Sequence, residues 1–307
     1  AISITGGGAL VGVSVSLASV NVFSTVIAAL EGDVAGAASL TVKAACDYPN
    51  VLAATLTASV GGAAVGASVA AAVFGATVES SIRGNAVVSA TPAIDVSSRL
   101  NAGAISGAGA FAAGGVSVNG AIALVVNLSR VDTYIGRGVT VNRQGAGTVS
   151  VSADVDTAAR AYVLSVAVST GGPAVGISAA VSVIKPEVLT YIGTTPAGHA
   201  ARQGASGTGG NVNAATVSVG SDVTSLAQSL IAAFSAGDPS VNGNLLLVFN
   251  FTDAIAALSG ATVNADTITV DAYMDSTARS VVLAGTVGLS TAIGVTVSYV
   301  GLRSSNI

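Results

Sequence analysis

The stretch SVAVSTGGPAVGISAAVSVI, residues 165–184, carries no charge and is long enough to cross a membrane as a helix. Its pattern argues for strands instead. Val166, Val168, Ile177, Ala179, Val181 and Val183 alternate with Ser165, Ala167, Ser169, Ser178, Ala180 and Ser182, a period of two that puts one set on each face. The β-branched residues and the pair Gly171 and Gly172 also disfavour a helix. The stretch is read as two strands folded back at a Gly-rich bend, facing each other through Val, Ile and Ala. On that reading Ser, Ala, Thr and Gly form the exposed face. The same parity runs through Val13, Val15 and Leu17 against Ser14 and Ser16, and through Val295, Val297 and Tyr299 against Thr296 and Ser298.

The pattern repeats along the chain. Aligning the glycine of the VG-type segments gives Gly12, Gly66, Gly120, Gly176, Gly243 and Gly294, with gaps of 54, 54, 56, 67 and 51. A second landmark, the start of a strand, falls at Leu40, Ile94, Val149, Val217 and Ile268, with gaps of 54, 55, 68 and 51. Two landmarks sharing one period and one enlarged gap define about five and a half copies of a unit of roughly 54 residues. The enlargement is TTPAGHAARQGASGTGGN, residues 194–211, a Gly/Ser-rich loop insertion. The expected fold is therefore all-β, a parallel β-solenoid (β-helix) forming a single repetitive domain over residues 1–307. Pro49, Pro173 and Pro186 are placed at its corners. Whether a unit makes one wide rung or two coils is left open by the spacing.

Composition narrows the function. Of the 307 residues, 51% are hydrophobic but only 8% are charged, against about 25% in an ordinary soluble domain. A net charge of −4 with no Lys/Arg cluster speaks against nucleic acid as a partner. A transmembrane barrel should carry aromatic girdles and a strongly polar lumen; neither is evident, so the chain is read as not membrane-spanning. A single cysteine, Cys46, excludes an internal disulfide and any multi-cysteine metal site, and is expected to be a small buried residue. The chain begins and ends inside a unit. Either more repeats follow, or the uncapped ends stack on neighbouring copies.

Segments VVNLSRVDTYIG (125–136) and VSVIKPEVLTYIG (181–193), with degenerate forms FSTVIAALEG and FTDAIAALSG, close the units. Together with the alternating Val/Ala strands around a Gly-rich bend, they resemble the repeats of giant bacterial surface adhesins of the filamentous-haemagglutinin-like or leukotoxin-like class. That resemblance implies a secreted, elongated β-helical stalk or fibre at the cell surface. It brings no catalytic residues, and the secretion domain and outer-membrane translocator of the class are not found in this sequence.

Few residues suggest a site. His199, the only histidine, lies in the inserted loop with nothing to position it as a base or ligand. Asp47, Asn101, Asp156, Thr224 and Asp275 fall seven residues after each strand start. Such a column turns the chain by bonding its own backbone, with Ca²⁺ binding as the alternative; no other cofactor is suggested. The sequons at Asn127 and Asn250 occupy one position in their units with expected outward parity, open to glycosylation.

The reading that follows is a non-enzymatic extracellular structural protein. It would self-associate end to end or laterally into a filament, stalk or surface layer serving adhesion. The alternatives are an adhesin module contacting a host receptor or glycan through the 194–211 loop, and a solenoid enzyme acting on polysaccharide.

Overall fold

The computed structural model describes residues 1–89, 91–142, 147–196 and 210–306. Among them there is no helix. In chain order the strands are β1 (Ile2–Leu30), β2 (Val34–Ala35), β3 (Leu40–Ile82), β4 (Val87–Ser89), β5 (Ala93–Asn127), β6 (Arg130–Ile135), β7 (Thr140–Asn142) and β8 (Thr148–Ser169). They continue as β9 (Ala174–Ile184), β10 (Glu187–Gly193), β11 (Asn211–Asn213), β12 (Thr216–Ala236), β13 (Ser240–Ser259), β14 (Thr262–Asn264), β15 (Thr267–Val287) and β16 (Ala292–Asn306).

All the pairings described are parallel, and each joins residues one unit apart. Leu40 pairs with Ile94, Ile94 with Val149, Val149 with Val217, and Val217 with Ile268. The strand-start column is thus a hydrogen-bonded column. Paired residues are separated by a whole unit, and among the described residues no pairing joins residues half a unit apart. Within the large sheet the pairings β3-β6-β10-β13-β9-β5 close into a ring through the β3–β5 contact. The ring forms because β3, β5 and β13 run round corners and pair in more than one region. A small sheet, β14-β11-β7-β4-β2, closes one end of every turn.

Each turn has an outbound arm, as in β8 and β12, a Gly-rich tip, and a return arm, as in β9 and the first part of β13. At the tip Ala174 donates its N–H to Pro239 O and Ser117 to Pro173 O, stacking one bend on the next. A Cβ on Gly172 would lie 2.6 Å from the Gly115 carbonyl oxygen, so this stacking admits no side chain. Pro173 and Pro186 lie between strands, and Pro49 sits where the β3–β5 register slips between Tyr48 and Val51.

The two arms have different interiors near and far from the tip. Far from it, Ile94, Val96, Val149, Val151, Val217 and Val219 point inward and meet Val88, Val141 and Val212 of the small sheet. Near the tip the expected parity is inverted. Ser14, Ser16, Ser165, Ala167, Ser178, Ala180 and Ser182 are buried, while Val13, Val15 and Leu17 stand exposed and Ile177 is 59% exposed. Val166, Val168, Val181 and Val183 share the outward side with Ile177. In the last unit Val295, Val297 and Tyr299 are exposed too.

The cause is how closely the layers approach. A Cβ on Gly66 would sit 3.2 Å from the Phe111 carbonyl oxygen across the interior, closer than ordinary van der Waals contact, so a larger apolar side chain there crowds the facing backbone. The small residues also stitch the layers together. Ser14 donates to Ala58 O (2.8 Å), Thr57 to Ala67 O (2.9 Å), Ser106 to Ala70 O (2.8 Å), Ser182 to Gln228 O (2.6 Å), and Asn119 to both Ala110 O and Val166 O.

The glycine alignment shares in the error. Gly66, Asn119, Gly176, Asn242 and Gly294 form one inward column, whereas Ala67, Gly120, Ile177, Gly243 and Val295 form the next, outward one. A slip of one residue exchanges the faces of a strand.

This parity makes paired substitutions diagnostic. Gly66→Val should destabilise by about 1–3 kcal/mol through overpacking. Gly120→Val, where an added Cβ meets nothing within 4 Å, should stay within about 0.5 kcal/mol of the wild type in urea unfolding. Equal midpoints, or the reverse order, would refute the inverted interior.

Candidate functional site

Polar chemistry concentrates on β6, β10 and the matching part of β3. Here Thr77, Arg130, Glu187 and Asp253 form one column, Glu79, Asp132, Leu189 and Ile255 a second, and Ser81, Tyr134, Tyr191 and Ala257 a third. Alternate residues of β6 point to the aliphatic core, yet those on the other side are buried as well: Asp132 is 2% exposed and Tyr134 3%.

Parallel in-register pairing stacks like on like. The Tyr134 and Tyr191 rings lie 5.0 Å apart with planes 2° from parallel. Tyr134 donates its hydroxyl to Glu79 Oε1 (2.8 Å), the oxygen that also accepts from Arg83 Nη1 (2.7 Å) and Ser81 Oγ (3.0 Å). Arg83 reaches back one unit through Nε to Glu31 Oε1 (2.8 Å), tying two units together. Arg130 Nε donates to Asp132 Oδ2 (3.1 Å) and stands 4.0 Å from Glu187 Oε2.

Burial dominates the electrostatics. Desolvation pushes the Asp132 carboxyl up to about 7, opposed by Arg130 and reinforced by Glu187 and Glu79. Burial likewise raises the Tyr134 and Tyr191 phenols. Beside this network, at the corner after the return arm, a groove of about 440 Å³ is lined by Phe23, Leu128, Arg130, Lys185 and Glu187. A neighbouring hollow of the same volume adds Phe251, Asp253 and Arg303. The arrangement can hold opposite charges beside apolar ring faces. Glu79 is occupied by Arg83, Tyr134 and Ser81, and Asp132 by Arg130.

The residues singled out from sequence lie elsewhere. Asp47, Asn101, Asp156, Thr224 and Asp275 do form a register column. Asn101 Nδ2 donates to Asp47 Oδ1 (2.8 Å), a side-chain bond between units in place of the expected bond to the backbone. Among the described residues no three His, Cys, Asp or Glu converge to hold a metal ion.

Asn127 and Asn250 share a column with Ile184, but both are buried, so their expected outward parity is corrected. Ser129 donates to Asn127 Oδ1 and Thr252 to Asn250 Oδ1, each at 2.7 Å, while the two amides donate to the Ala102, Ser225 and Thr277 carbonyl oxygens. The sequon spacing here is a hydrogen-bonding motif of the interior, with no face left for a glycan. Cys46 is buried, and burial pushes its thiol up. His199 and residues 197–209 of the inserted stretch lie outside the described residues. The tyrosine and carboxylate columns were missed although DTYIG and LTYIG, two units' equivalent segments, place Tyr on Tyr.

The raised Asp132 carboxyl fixes a pH dependence. Its folded value, about 7, exceeds the ordinary 3.8, so between those pH values the folded chain keeps a proton that the unfolded chain releases. Stability from this group is therefore full below about pH 4 and is lost as pH rises toward 7. Asp132→Asn should match the wild type near pH 4 and melt higher at pH 8. An unchanged slope of melting temperature against pH would rule the assignment out.

No protein-family model matches the chain, and no curated protein or solved structure matches it either.

Proposed function

We propose that the chain is a β-solenoid of stacked units working as an extracellular structural protein, a fibre, stalk or surface layer that serves adhesion or cell-surface assembly. The observation that supports this reading is the pairing rule itself: parallel throughout and displaced by one unit at every contact. On this reading the closed ring of six strands is the wall seen where arms turn corners. Successive units repeat one geometry, which makes the number of units free to grow.

Both sides of the array are open. Among the described residues β1 pairs only with β3, β15 only with β12, and β16 only with β13. Each side presents a row of N–H and C=O groups fitting a further unit, of this chain or of another copy. Adhesion is taken from the sequence resemblance, and the charge-poor composition agrees with a protein that works by its surfaces rather than by catalysis.

Negative-stain electron microscopy across a concentration series tests the assembly. Rods of constant width that lengthen with concentration are expected. Rods of one length at every concentration would count against stacking between copies.

A further inference from the structure

The inverted tip half leaves two apolar sheet faces exposed, one on each layer. On the outbound layer, Leu56, Leu164 (53% exposed) and Leu283 line up with Gly109 and Ala232 between them. On the return layer, Val13, Val118, Ile122, Ile177 and Ile293 stand out beside Gly120 and Gly243. No charge interrupts residues 161–184, 100–129 or 280–302. Charges resume together farther from the tip, at Arg160 and Arg279 on one layer and at Arg130 and Glu187 on the other.

Size and relief indicate what covers these faces. Six strands about 4.8 Å apart, each apolar over about nine residues of 3.3 Å, give roughly 900 Å² per face. A stable interface takes about 800 Å² from each partner. The outbound face is not flat. Its glycine and alanine positions leave hollows of about 270 Å³ beside Leu164, Phe234 and Leu283 and about 360 Å³ beside Gly107 and Gly109. Projecting Val, Ile and Leu side chains of a second sheet are the complement of such hollows. Lipid is the poorer occupant, because the open sheet edges would carry rows of unpaired N–H and C=O into hydrocarbon.

We infer that the tip halves of neighbouring copies stack face on face, the outbound face of one on the return face of the next. Because the two faces lie on opposite sides of one layer pair, each copy offers both and the contact is heterologous. Growth is then lateral, at right angles to the strand-pairing direction, and does not depend on stacking at the open edges.

Leu164→Lys and Ile177→Lys test this, since both side chains point outward and leave the interior intact. Sedimentation and particle width are the readouts, with far-UV circular dichroism confirming the fold and Phe234→Glu as a second outbound variant. The wild type should form laterally paired and wider particles. Each variant alone should need at least about tenfold higher concentration to do so, a loss of about 1.4 kcal/mol per contact. Mixing Leu164→Lys with Ile177→Lys leaves one intact outbound and one intact return face, and should restore pairs that grow no wider.

Several results would overturn the inference: a wild type monomeric in width, widths unchanged by both lysines, or an Ile177→Lys variant that pairs normally. So would a wild type that stays single in buffer but floats with phosphatidylcholine vesicles, which would make lipid the occupant. Particle length reports edge stacking separately, so either idea can fail without the other.

Discussion

The separation of the two layers near the tip is the constraint on which the rest depends. Where Gly66 lies against the Phe111 backbone, the side chains between the sheets are small: Gly, Ala, Ser, Thr and Asn. Once these residues occupy the interior, a strand of period two has no choice about its other face. Val13, Val15, Leu17 and Ile177 stand outside, not because exposure favours them but because the spacing around Gly66 and Gly176 crowds larger side chains. Burying polar side chains then creates its own demand, met in part by the bonds from Ser14, Thr57, Ser106, Asn119 and Ser182 to carbonyl oxygens across the interior, while the Ser165 and Ser178 hydroxyls find no partner among the described residues.

The half of each turn away from the tip follows the ordinary rule. The small sheet formed by β2, β4, β7, β11 and β14 holds the arms apart, and the wider interior takes Ile94, Val149, Val217, Ile135 and Ile192. The bulkier β-branched side chains gather there, while a larger cluster rich in Ala, with Phe74, Val163, Ile231 and Leu246 among it, continues the core toward the tip. The ionic and aromatic network on β6 and β10 sits along this better-packed half, where Arg83 links Glu31 of one unit to Glu79 of the next. Parallel stacking at one-unit displacement also explains its make-up. A tyrosine repeated at one position becomes a stacked pair, and a carboxylate repeated nearby needs an arginine between copies.

Sequence and structure agree where the signal is periodic and part where it is directional. The Leu40-to-Ile268 column, the Asp47-to-Asp275 column and the match of the two TYIG segments are all pairings in the fold, because a repeat length is independent of which face is inside. Parity is not. Alternation of Val and Ser states that two faces differ, and assigning Val to the core assumes that hydrophobicity outranks volume. Near the tip volume decides. The glycines added to the error: Gly66 and Gly176 face inward but Gly120 and Gly243, one register position on, face outward. The polar network was hidden for another reason. Its residues are scattered along the chain at unit spacing, and only the pairing brings Glu79, Asp132 and Tyr134 together.

An inside-out half has an energetic consequence for the whole array. Hydrogen bonds exchanged from water contribute on the order of 1 kcal/mol each, whereas apolar area gains about 25 cal/mol per Å² only when it is covered. The tip half of a single copy therefore keeps its stitches and its small-residue core but forgoes the area term of its outward Val, Leu and Ile. That term becomes available only when another apolar surface arrives. The same residues that make the layers close together thus move part of the stabilisation from folding to association.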